Sequence, residues 1–190
     1  MTLSIRASSK PFITLNEARF FFPFSFFSFS TSTVQCNKNS PFHAAVTDPQ
    51  SLVRVLNTVR HRPTVALKFF RWAERQTGFK LSELAYAVIL DILARNGLMR
   101  SAYCVMENVI SVRMDNGVVD VVSSSEVSMS SATLILDLLL WIYSKKSVLE
   151  KCLLVFHKMV SMGMLPDVKN CNRILRLVRD RDSSTHVARE

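Results

Sequence analysis

From residue 49 onward, apolar side chains recur every three or four positions and glycine is scarce. The pattern reads as a series of amphipathic helices, with no strand candidate of comparable strength. Asp48 and Pro49, a capping residue and a first-turn proline, open a helix to about residue 60; Pro63 opens TVALKFFRWAERQT, which Gly78 closes. Ser82 caps ELAYAVILDILARN, which ends at Gly97, and a partner from 100 to about 113 sets Ala102, Val105, Met106 and Val109 on one face. Residues 114–131, MDNGVVDVVSSSEVSMSS, break the rhythm with serines, Gly117 and three acids, and are expected to form a surface loop or insertion. Helices resume over 132–144 and 148–162. Gly163 then supplies a left-handed turn, Pro166 blocks continuation, and Asp167 stands where it caps a last helix over about 168–179.

A helix that stops and restarts in this way marks a junction between repeats. Asp137 and Asn172 stand 35 residues apart, each one turn into its helix. Ala66, Ala102 and Cys152 begin second helices at spacings of 36 and 50, the surplus in the latter matching the serine-rich segment. A period in the mid-thirties implies an all-α stack of helical hairpins, each with an apolar face that only a neighbour covers.

Residues 1–47 are a different material. Eight of the thirteen Phe lie between positions 12 and 29, interleaved with Ser and broken by Pro23. Glu17 is the only acid before Asp48, against Arg6, Lys10, Arg19 and Lys38. Arginine and hydroxyl residues with almost no acid describe an organellar transit peptide and a disordered leader, directed to the mitochondrion first and the plastid second. A secretory signal would need an unbroken apolar run. The most apolar stretch elsewhere, LILDLLLWIY at 134–143, is too short to span a bilayer and carries Asp137.

A formal charge of +9, spread along 190 residues, favours an anionic partner. Cys36, Cys104, Cys152 and Cys171 are far apart and form no CxxC pair, which fits reduced, mostly buried thiols rather than a zinc site or disulfide framework. His43, His61, His157 and His186 are isolated, and the four glycines build no phosphate-cradling loop. No enzyme chemistry, metal or cofactor is indicated. His157 is expected to face solvent; Met159, Met162 and Met164 to close a core face; Trp72 and Trp141 to anchor packing between hairpins.

The block over 133–167, ending EKCLLVFHKMVSMGMLPD, resembles one complete repeat of the plant pentatricopeptide repeat proteins, and VKNCNRIL resembles the opening of another. ALKFFRWAERQTGFKLSELAYAVILDILARNGLM is similar to the entry segment that precedes such arrays. The resemblance covers residues 50–182. It divides the chain into divergent hairpins over 48–113, the 114–131 segment, repeats over 132–182 (one complete, one incomplete) and a truncated end at 183–190.

The resemblance implies a right-handed α-solenoid that binds single-stranded organellar RNA, one base per repeat, in support of processing, editing, splicing or translation. It requires neither a small-molecule substrate nor a membrane span. Carried over, the base readers are Asp137 with Asp167, and Asn172 with a partner past residue 190; Lys145 and Lys151 are the phosphate contacts. In the earlier unit the matching residues, Ala87 and Gly117, have no side chain able to read a base. Asp137 departs from the usual Asn, Thr or Ser, and an acid there repels phosphate. Asp167 is open to a second role as helix cap, and Asn172 to one as a structural hydrogen-bonder. Two other functional classes stay open. One is a tetratricopeptide-like protein-interaction scaffold, disfavoured by the period and by the missing Trp-x-x-Leu-Gly signature. The other is a truncated product without independent activity, leaving Ile174, Leu175 and Val178 partly uncovered.

Overall fold

A computed structural model of the chain describes residues 49–76, 78–124 and 127–187, with side chains through residue 181. The leader and the Asp48 cap lie outside the described residues. Within them are eight helices and no strand: α1 Pro49–Thr58, α2 Pro63–Glu74, α3 Glu83–Arg95, α4 Met99–Ser111, α5 Asp115–Val122, α6 Met129–Lys145, α7 Leu149–Ser161 and α8 Val168–Val187. No described helix is long and apolar enough to cross a membrane.

Local chemistry sets most of the boundaries. Ser82 Oγ accepts the Ala85 N–H at 3.2 Å and starts α3, and Ser128 Oγ accepts the Ser131 N–H at 3.4 Å and starts α6. Asp167 Oδ1 accepts the Lys169 N–H at 2.7 Å and caps α8 as expected. α8 runs eight residues past its expected end, since nothing between 168 and 187 is Gly or Pro.

The 114–131 segment corrects the sequence reading. It holds α5, an eight-residue helix with Asp115, Val118, Val119 and Val122 buried, not a surface loop. The turn before it was hidden because Arg113, not glycine, adopts the left-handed conformation, at φ 59°. The closure is the same one used at Gly163: the Met114 N–H reaches Val109 O at 3.0 Å, as the Met164 N–H reaches Met159 O at 2.9 Å. Gly117 has a packing reason, since a Cβ there would stand 2.5 Å from Glu83 Cγ on α3.

Adding one helix has a topological consequence. Tyr103 packs on Trp141 and Lys146 pairs with Glu107, so α4 and α6 run in the same direction. Lys151 pairs with Asp115 and Lys158 with Asp120, so α5 and α7 do likewise. The array therefore alternates throughout, with α1, α3, α5 and α7 in one row and α2, α4, α6 and α8 in the other. The hydrogen-bonded partners within a row stand 30 to 39 residues apart, so the period continues through α5 instead of being interrupted by a loop. Hairpin α6–α7 thus enters the array inverted relative to α3–α4. Ala87 on α3 and Asp137 on α6 consequently belong to different rows and are not equivalent positions.

α3 is the centre. It touches α1, α2, α4, α5 and α6, and nine of its thirteen residues are buried, which explains a helix apolar on nearly every side. At the far end Ile174 is covered, at 5% exposed, and Val178 is partly buried, while Leu175 stays 66% exposed.

One polar group is built into this packing. The Asp115 carboxylate, 2% exposed, accepts hydrogen bonds from Tyr143 Oη on α6 and Lys151 Nζ on α7. Burial pushes the carboxyl up, but the Lys151 and Tyr143 hydrogen bonds, its own backbone N–H and the Lys151 charge outweigh this and hold it below the usual carboxylate range. Its stabilising contribution is complete above the unfolded carboxylate pKa and is lost as pH falls through the lower folded value. Tyr143→Phe is expected to lower stability by about 1–2 kcal/mol at pH 7, with a smaller difference near pH 3. Urea melts at the two pH values check this; an equal loss at both would contradict the assignment.

Candidate functional site

Asp137 and Asp167 are brought together at the α6–α8 junction. Asp137 Oδ1 accepts the Asp167 N–H at 2.9 Å and Asn170 Nδ2 at 3.1 Å, while Asn170 Nδ2 also reaches the Asp137 carbonyl at 2.9 Å. Arg173 Nη1 donates to Asn170 Oδ1 at 2.9 Å and completes the clasp. A carboxylate from α6 therefore sits at the N-terminus of α8, where the helix dipole favours negative charge. Burial and the neighbouring Asp167 charge nevertheless raise the Asp137 pKa, against the lowering effect of its hydrogen bonds.

Asn172 is placed elsewhere. Asn170, Ile174, Leu177 and Arg181 follow the three-to-four spacing that faces the array, whereas Asn172 is exposed with Val168 and Leu175. The structural hydrogen-bonder on α8 is thus Asn170, 5% exposed, which the sequence reading overlooked. The signal available was its phase with Ile174.

The two lysines also separate. Lys151, expected to meet phosphate, has its ammonium on the buried Asp115 and over the Tyr143 ring at 5.5 Å. Lys145 is exposed, its ammonium 5.8 Å from the Trp141 ring centroid. Asp137, Trp141 and Lys145 follow one another at four-residue intervals along the face of α6 that points away from its buried side chains. Trp141 bridges to Tyr103 on α4 edge-on, with centroids 5.4 Å apart, so it does link hairpins, but from the outward face. Trp72 is stacked on Phe69 within α2 at 5.7 Å.

Other chemistry is sparse. Among the described residues no group of three His, Cys, Asp or Glu is placed to hold a metal ion. Cys152 is buried, and burial pushes its thiol up to about 11; Cys171 is partly buried, and Cys104 is exposed, contrary to expectation. Exposed His157 lines an open cleft of about 540 Å³ between α5 and α7, beside the Lys158–Asp120 pair.

The clasp gives a direct contrast. Asn170→Ala is expected to cost about 1–2 kcal/mol of stability, and Asn172→Ala less than about 0.5 kcal/mol. Asp137→Asn keeps an acceptor and removes the disfavoured charge, so it is expected to be neutral or stabilising at pH 7. Urea denaturation of the three variants checks the order, and a larger loss for Asn172→Ala than for Asn170→Ala would overturn it.

No protein-family model matches the chain. It is 45% identical over 139 residues to the mitochondrial pentatricopeptide repeat-containing protein At1g22960 of Arabidopsis thaliana, covering 73% of this chain and 19% of that protein. It is 28% identical over 122 residues to the pentatricopeptide repeat-containing protein At2g02150 of the same plant, covering 64% of this chain and 16% of that one. The chain therefore spans less than a fifth of the length of these curated relatives. Two relatives of one repeat class, aligned with an array of helices whose contacts recur every 30 to 39 residues, lead to one assignment: the chain belongs to the pentatricopeptide repeat family.

Proposed function

We propose that the chain binds single-stranded RNA in the mitochondrion, along the face formed by α4, α6 and α8, as one part of an RNA-processing, editing, splicing or translation factor. The observation that carries this reading is the 45% identity to a pentatricopeptide repeat protein named mitochondrial. Binding of this kind works by occupying a strand, with no bond made or broken. The charge of +9 and the exposed Lys145 beside an aromatic ring suit an anionic strand carrying planar bases.

Base selection by this chain alone is weak on physical grounds. Asp137 has its carboxylate engaged in the clasp, and Asp167 Oδ1 is engaged by the Lys169 N–H. Asn172 offers an exposed amide, which reads a base only when further repeats complete its surroundings. Lys145 is the phosphate contact; Lys151 acts first as the partner of Asp115.

Fluorescence anisotropy with a labelled single-stranded RNA of about a dozen nucleotides tests the proposal. Binding is expected at 50 mM salt and to weaken steeply by 200 mM, roughly alike for different sequences. Lys145→Ala is expected to lower affinity on all of them by about three- to fivefold and to flatten the salt dependence. Absence of binding at the lower salt concentration would overturn the reading.

A further inference from the structure

We infer that Trp141, Tyr103 and Lys145 form a stacking site for one unpaired base on the outward face of α6, separate from the Asp137–Asp167 pair. The inference rests on the RNA reading above. Its starting point is the position of Trp141. The most deeply buried residues of α6, among them Ile135, Leu139 and Ile142, lie on the side opposite to it, so the tryptophan stands half-buried on the less covered face of the helix. It is partly buried there, packed at the edge of the core and against Tyr103, with the remainder of its ring open to solvent.

Its surroundings match a nucleotide. Tyr103 reaches it from α4 at an interplanar angle of 68°, so the two rings meet at an angle and form a corner instead of a closed stack. Lys145 Nζ stands 5.8 Å from the Trp141 centroid. An ammonium in that position is attracted by the ring's quadrupole, and on a flexible four-carbon stem it can yield the ring to a base and turn to the attached phosphate. An adjacent cation, Lys146, is held by Glu107 at 3.1 Å, and that carboxylate, which also accepts from the Tyr103 hydroxyl, is thereby countered. A planar, neutral group joined to an anion satisfies both features, and base–aromatic stacking tolerates any of the four bases.

Location favours the strand as occupant. Trp141 lies one helical turn from Asp137 on the same stripe, so a strand following α6 from the α8 junction passes over it. Stacking there would add affinity without adding sequence choice.

The chain has two tryptophans, so Trp72→Phe makes Trp141 the sole reporter and Trp141→Phe leaves Trp72 as the control. Oligoadenylate of about ten nucleotides and an abasic oligoribonucleotide of equal length are the probes, with binding followed independently by anisotropy. Oligoadenylate is expected to quench the emission of the Trp72→Phe protein and not that of Trp141→Phe, and the abasic strand to quench neither. Trp141→Ala is expected to weaken oligoadenylate about tenfold while changing abasic affinity little, whereas Lys145→Ala weakens both. Oligoadenylate bound by anisotropy without quenching of Trp141 would overturn the stacking site and leave the RNA reading standing. No binding of either strand would overturn the RNA reading, and the stacking site with it. The quenching arm needs no change at Trp141, so a Trp141→Ala protein that failed to fold would not remove the test.

Discussion

A carboxylate 2% exposed at the start of α5 joins that helix to the two that follow it. Against its burial, the Lys151 ammonium from α7, the Tyr143 hydroxyl from α6 and its own backbone N–H hold the Asp115 carboxyl below the usual carboxylate range. Removing the Lys151 ammonium would leave a buried carboxylate without its counter-charge, a loss of several kcal/mol in general, whereas losing the Tyr143 hydroxyl removes one hydrogen bond. The carboxylate therefore ties α5 to both helices of hairpin α6–α7. Since α5 in turn packs on α3, the second half of the array is set relative to the first.

The order that results differs from a plain stack of identical hairpins. Hairpins α3–α4 and α6–α7 are built alike, each with one left-handed residue between its helices and another after it: Gly97 and Arg113 in the first, Ser147 and Gly163 in the second. One helix stands between them, so the second hairpin runs opposite to the first. The face that carries Asp137, Trp141 and Lys145 is continuous with α4, through Tyr103 and Glu107, and not with Ala87 on α3. A functional face inferred by matching Ala87 to Asp137 would have joined residues from opposite rows.

The sequence disclosed the helices that begin with Ser or Pro and end with Gly, because those residues announce caps and turns by their own chemistry. It did not disclose α5. Three of its eight residues are buried valines in a stretch whose serines, glycine and acids read locally as a loop, and its preceding turn uses Arg113 where glycine would have been visible. Tertiary packing decided the conformation. The candidate site was legible in part for the same reason. Asp137 and Asp167 were paired through the family resemblance, and the structure brings them into contact. The roles of Asn170 and Lys151 depended on which neighbour each side chain would find, and Asn170 acts two positions before the residue singled out on α8.

Hydrogen–deuterium exchange of the free chain at neutral pH tests most directly whether α5 is an integral part of the array. Amides of residues 118–122 are predicted to exchange slowly, close to those of residues 85–94 in α3, and to lose protection in the same cooperative event. Exchange at 118–122 as fast as in an unstructured peptide, with α3 still protected, would contradict the account.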